Sequence, residues 1–190
     1  MRWIIRLSIS VIVASAAFLF LARNGSIPNL SQLQALATGG WARSAIGDLS
    51  LSTPCWLHSV AAPEGYKATA KLFASSEFLQ GQDAGCTIMV QHVHLANGRE
   101  AYTLDREIVG KFAELGNTRG GGPMQETAVL VSGARAERAT CSLAGNGAPR
   151  RMNRLTIAKN RDIWAVAVVS AESNTANTEV FEKIIGSIRL

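Results

Sequence analysis

Four strand-like stretches follow one another with no helix between them: Thr127–Ser132, Ala134–Leu143, Asn153–Ala158 and Ile163–Ser170. Gly133 separates the first pair, Gly145-Asn146-Gly147 marks a turn after the second, and Asn160-Arg161-Asp162 joins the last two. Consecutive strands linked by such short polar turns pair antiparallel, because parallel pairing needs a crossover of a dozen or more residues. Upstream, Cys86–Leu95 predicts a further strand, with Cys86, Ile88, Val90, His92 and His94 on one face and Thr87, Met89, Gln91, Val93 and Leu95 on the other. Leu49-Ser50-Leu51-Ser52 alternates as well and stops at Pro54, while Pro63-Glu64-Gly65-Tyr66 reads as a turn, with a strand or short helix over Ala68–Phe73.

Two helices complete the expected pattern. Leu104, Ile108, Phe112 and Leu115 recur at spacings that make one apolar stripe, capped by Thr103 and ended by Gly116-Asn117. Val180, Phe181, Ile184 and Ile185 do the same within Asn174–Ile185, which Gly186 closes before a short terminal strand. Strands grouped between helices predict an α+β fold, an antiparallel sheet packed by two main helices. An N-terminal transmembrane or signal segment precedes it.

That segment is a run without charge from Leu7 to Ala22, with Arg2 and Arg6 before it and Arg23 after it. It is short for a span of ~20 residues and long for a signal core of roughly 7–15, so two readings stand. Ala14-Ser15-Ala16 offers a cleavage site, but Phe18-Leu19-Phe20-Leu21 continues the run beyond it. Read as an anchor, the segment holds Trp3 at the interface and, by its arginines, the N-terminus in the cytoplasm. Either reading exports the rest. The expected organisation is residues 1–23 as anchor or signal, 24–47 as linker, and 48–190 as the exported domain. The anchored form would be single-pass in the inner membrane with its domain in the periplasm; the cleaved form would be soluble there.

The 190 residues carry 19 basic and 14 acidic side chains, and no acid precedes Asp48. Setting aside Arg2, Arg6 and Arg23, the remainder is close to neutral, so charge gives no reason to expect a nucleic-acid partner. Arg150, Arg151, Arg154 and Arg161, with Arg135 and Arg138 on the preceding strand, are the candidate cationic face for an envelope or membrane protein partner.

His92 and His94, two apart on one strand, project from the same face and could share zinc or copper if His58 or Glu100 supplied a third ligand. In an oxidising compartment two of Cys55, Cys86 and Cys141 would pair, and all three pairings stay open. No C-x-x-C and no G-x-S-x-G occurs, and Gly120-Gly121-Gly122 follows a helix and lacks the Lys-Ser/Thr of a phosphate loop. No catalytic residue and no cofactor is therefore expected.

The close of the chain, WAVAVVSAESNTANTEVFEKIIGSIRL from Trp164 to Leu190, resembles that of Mog1/PsbP-like domains, where a core strand, polar loop, helix and short strand finish the fold. Thr53-Pro54-Cys55-Trp56 and the central helix fit the same layout. The resemblance covers roughly Asp48–Leu190 and implies an adaptor or assembly protein rather than an enzyme. The expectation is a non-enzymatic interaction module of the bacterial envelope, with a periplasmic metal-binding or small-ligand sensor as the alternative.

Overall fold

The computed structural model describes residues 40–61, 73–96, 125–143 and 148–190. Within them lie β1 (Ala42–Ile46), β2 (Leu49–Thr53), β3 (His58–Ser59), β4 (Phe73–Asp83), β5 (Cys86–Leu95), β6 (Gln125–Val131), β7 (Ala134–Leu143), β8 (Arg150–Lys159) and β9 (Asp162–Ala171). A single helix, α1 (Ala176–Ser187), follows. Strands β3 to β9 form one antiparallel sheet in the order β3-β4-β5-β9-β8-β7-β6, and β1 and β2 form a separate two-stranded hairpin.

This corrects the expected fold class. The described chain is mostly β, with one short helix, rather than α+β with two main helices. The helix expected over Thr103–Leu115 falls outside the described residues, as do the anchor or signal segment and the turn at Pro63–Tyr66. Among the described residues no helix is long and apolar enough to cross a membrane. The strand content is higher for two reasons. The eleven residues of β4 read FASSEFLQGQD, largely exposed and without alternation, so they gave no strand signal. β1 lies in the stretch read as linker, where ARSAI alternates for only five residues.

The hairpins follow turn chemistry. Ala84-Gly85 and Ser132-Gly133 both take positive φ at both positions, which matches the right-handed twist of the flanking strands. Asn160, also at positive φ, turns β8 into β9.

One face of the sheet carries Ile88 and Val90 of β5, Trp164, Val166 and Val168 of β9, and Leu155 and Ile157 of β8, all buried. Two things cover it. The first is α1, whose Asn177, Phe181 and Ile184 form one buried stripe at helical spacing. The second is the β1–β2 hairpin, which contributes Ile46, Leu49 and Leu51. Burying each such side chain is worth about 1.5–3 kcal/mol, so these two covers supply much of the core's stability. The backbone of Ser50 exchanges both hydrogen bonds with Arg189, each at 2.9 Å, and the Ser52 amide donates to Ser187 Oγ at 2.8 Å. The chain's last residues thus fasten the hairpin to the helix.

Gly81 marks a close crossing. A Cβ there would lie 2.6 Å from the Trp56 carbonyl oxygen and 2.7 Å from Cys55 Sγ, so only glycine lets residues 55–57 cross β4 at that height.

Candidate functional site

The register of the sheet decides which polar side chains meet. On the helix-covered face, β5 sets His94 opposite Asp162 and His92 opposite Trp164, both on β9. On the other side of β5, β4 sets Ser75 opposite His94 and Glu77 opposite His92. Two imidazoles, a carboxylate and an indole thereby share one end of the face, against the β1–β2 turn.

Their geometry is tight. His92 Nε2 and His94 Nδ1 each lie 2.8 Å from the same oxygen, Asp162 Oδ1. The His92 ring stacks on Trp164 with centroids 5.1 Å apart and planes 10° from parallel. Trp164 Nε1–H donates to the Ile46 carbonyl at 3.0 Å, which pins the hairpin turn over the pair. Gly47, at φ +55°, presses on the imidazole: a Cβ there would lie 2.5 Å from a His92 ring carbon. His92 is 14% exposed and His94 37%, so the site is closed under the turn and open at the sheet's end.

Partial burial pushes the Asp162 carboxyl up, but hydrogen bonds from His94 and His92 and their charge outweigh it, and the group is held below the usual carboxylate value. A carboxylate depressed in the folded state stabilises the fold above its unfolded pKa, about 3.9, and loses that contribution as pH falls through the lower folded value. For metal-free protein, the stability difference between the wild type and Asp162→Asn should be largest above about pH 5 and shrink below about pH 3. Urea midpoints across that range would check it; a gap that widened on acidification would contradict the assignment.

The sequence reading paired the histidines with His58 or Glu100. His58 sits opposite Gln80 on β4, which in turn opposes Met89, so it belongs to the opposite face from His92. Glu100 lies outside the described residues. The residue that does meet the pair, Asp162, was read only as part of a turn.

The six arginines do not make one cationic face. Alternation places Arg138 and Arg151 on the helix-covered side and Arg135, Arg150 and Arg154 on the other. Arg138 pairs with Glu182 and lies 5.3 Å over the Phe181 ring, which ties it to α1. Arg154 is buried, at 5% exposure. Arg161 turns back to donate to the Leu95 carbonyl. Arg135 and Arg150 are exposed on the outer side.

All three cysteines are thiols. Cys86 aligns across β9 and β8 with Ser142 on β7, the neighbour of Cys141 in sequence, so Cys86 and Cys141 face opposite sides. Three strand spacings, about 14 Å, separate them. A bridge needs Cα atoms within roughly 7 Å, which removes that pairing as the sheet is built. Burial, with a smaller push from Asp83, raises the Cys55 thiol to about 11; burial and then Asp83 raise Cys86 too. Burial also raises Cys141, with Arg154 pulling the other way. Thiols held protonated in this way lack the activation a nucleophile requires.

A buried polar chain runs beneath α1. Thr140 Oγ1 donates to Asn153 Oδ1 at 2.8 Å, Asn153 Nδ2 to Asn177 Oδ1 at 2.6 Å, and Asn177 Nδ2 to Ser170 Oγ at 2.7 Å. It links β7, β8, α1 and β9, four elements whose contact no local pattern announces.

No family model matches the chain, and no curated protein does. Solved structures of similar shape include a Bacteroides thetaiotaomicron protein at 8% identity and a TM-score of 0.46, covering 75% of this chain and 44% of that one. A second is PA94 from Pseudomonas aeruginosa, a protein of unknown function described as a candidate regulator, at 10% identity and a TM-score of 0.42, covering 75% and 91%. A third is LpqN of Mycobacterium tuberculosis, involved in cell envelope biogenesis, at 12% identity and a TM-score of 0.40, covering 78% and 82%. None of these three is described as a Mog1/PsbP-like domain.

Proposed function

We propose that this chain is an interaction module of the cell envelope. Its N-terminal segment directs the β domain across the cytoplasmic membrane, and the domain binds a protein partner there instead of catalysing a reaction. The observation that carries the reading is the uncharged run from Leu7 to Ala22, with Arg2 and Arg6 on one side and Arg23 on the other. A run of that length with basic residues ahead of it is what export machinery recognises, and the excess of arginine on the leading side sets the orientation.

Two surface features support the partner half of the reading. β6 stands at the end of the sheet order among the described residues, and its Leu130 is 75% exposed. Arg135 and Arg150 are exposed on the outer side of the same sheet, on neighbouring strands β7 and β8. A strand that ends the sheet order among the described residues, with Leu130 exposed on it and Arg135 opposite on β7, is a surface that an extended, acidic segment of another protein fits by adding a strand.

A fusion of alkaline phosphatase to Leu190 tests the location, since that reporter folds to its active form only outside the cytoplasm. The fusion should be active, and deleting residues 1–22 should silence it. A photo-cross-linker placed at Leu130 in the same strain tests the partner and should trap a discrete species. An inactive fusion sinks the export half of the proposal, and a cross-linker that traps nothing sinks the partner half.

A further inference from the structure

We propose that His92, His94 and Asp162 form a binding site for one divalent transition-metal ion of the zinc class. The inference does not depend on the envelope reading. It begins from donor chemistry: two imidazole nitrogens and one carboxylate oxygen are the set such ions take, with bonds of roughly 2.0–2.2 Å. The sheet supplies the placement. His92 and His94, two apart on β5, share a face, and Asp162 stands across from His94 on the neighbouring strand. Three donors on two adjacent strands make a triangle whose side chains converge above the sheet.

Distance makes the same point. Each imidazole nitrogen is 2.8 Å from Asp162 Oδ1. Two ligands on one ion stand about 3.0 Å apart at a right angle and about 3.4 Å apart at the tetrahedral angle, given those bond lengths. Each nitrogen–oxygen pair is within several tenths of an ångström of a coordinated spacing. As they stand, the three side chains are hydrogen-bonded around Oδ1 instead of surrounding an open centre, and among the described residues no group of three or more His, Cys, Asp or Glu side chains is placed so that it could hold a metal ion.

Loading the site therefore takes a turn of the Asp162 carboxylate and removal of the proton that each imidazole nitrogen shares with Oδ1, so that both nitrogens are free to ligate.

The surroundings suit a ligand set more than a chance contact. Trp164 stacks on His92 and fixes the plane of its ring, the kind of support that keeps a ligating imidazole oriented. His94 and Asp162, at 37% and 23% exposure, leave a path for the ion to enter. On β4, Glu77 opposite His92 and Ser75 opposite His94 put two further oxygen-bearing side chains on the same face.

The test uses full-length chain in detergent, purified without a histidine tag and stripped with chelator. Titration with Zn²⁺ is followed by calorimetry and by the imidazole resonances in NMR spectra. One ion should bind per chain in the micromolar range or tighter. The signals of His92 and His94 should move while those of His58 stay, and Asp162→Asn or His94→Ala should weaken binding at least tenfold. Absence of binding up to about 1 mM overturns the proposal. So does binding that leaves the His92 and His94 signals in place, or that survives both substitutions, since the ion would then sit elsewhere, on the thiols for example. The wild-type spectra decide the matter even if a variant fails to fold.

Discussion

Replacing Trp164 by alanine should cost about 4 kcal/mol of folding stability, because one side chain performs three functions at a single point. It is 2% exposed, at the end of the core where the sheet meets the β1–β2 hairpin. Its ring is the platform for His92, and its N–H holds the Ile46 carbonyl. Removing a buried tryptophan leaves a cavity worth about 3–5 kcal/mol, and the abandoned carbonyl adds about 1 kcal/mol where water cannot reach it. Against a domain stability of about 5–15 kcal/mol the loss is large, and the melting midpoint should fall by roughly 10–15 °C. Trp164→Phe separates the contributions. It keeps a ring under His92, loses the hydrogen bond and should cost about 1–2 kcal/mol. Hydrogen exchange would locate the damage: amides of Ala42–Thr53 should lose protection first in the alanine variant, since among the described residues no ladder joins that hairpin to the large sheet. An alanine variant that loses under about 1.5 kcal/mol would show that the hairpin is held mainly by Leu49, Leu51 and the Ser50–Arg189 pairing.

The same region shows what a sequence can and cannot announce. β5 was legible to the residue, Cys86–Leu95, because ten residues rich in apolar and β-branched side chains run without a glycine or proline. The β6–β7 and β8–β9 hairpins were legible from Gly133 and Asn160, which take the positive φ those turns need. α1 was legible from the spacing of Phe181 and Ile184, although its stripe also includes Asn177, a polar residue that a hydrophobic pattern passes over. What stayed hidden is sheet order. β5 pairs with β9, and Leu95 and Arg161, whose backbone groups bond across that junction, are 66 positions apart in sequence. Local pattern says nothing about a neighbour so distant, so His94 and Asp162 could not be matched. The arginines are a different case. Arg135 and Arg138 are three apart within the expected strand Ala134–Leu143, so alternation alone puts them on opposite faces. Arg150 and Arg151 precede the expected strand Asn153–Ala158, and only the longer β8, Arg150–Lys159, sets them on opposite faces.

Replacing Asn177 by alanine should cost about 3 kcal/mol, a large penalty for removing one amide from a helix. The side chain is 1% exposed and is the middle link of the polar chain beneath α1. Its oxygen accepts from Asn153, and its nitrogen donates to Ser170 Oγ and, at 3.4 Å, to the Val168 carbonyl. Without it, the Asn153 amide and the Ser170 hydroxyl remain buried with one partner fewer. An unsatisfied buried group costs about 1–3 kcal/mol, more than an ordinary hydrogen bond contributes when it is made. Alanine's better helix propensity returns only about 0.5 kcal/mol. The links should therefore be strongly coupled. Asn153→Ala should also cost about 2–3 kcal/mol, whereas the double variant should fall short of the sum by at least 1 kcal/mol, because the second substitution removes a donor that the first had already orphaned. Urea denaturation of the four proteins closes the cycle. Strict additivity would mean that water enters beneath α1 and satisfies each amide separately. A coupling above 1 kcal/mol would show that the chain from Thr140 to Ser170 acts as one unit, fixing the seat of α1 on the sheet more specifically than the surrounding apolar contacts could.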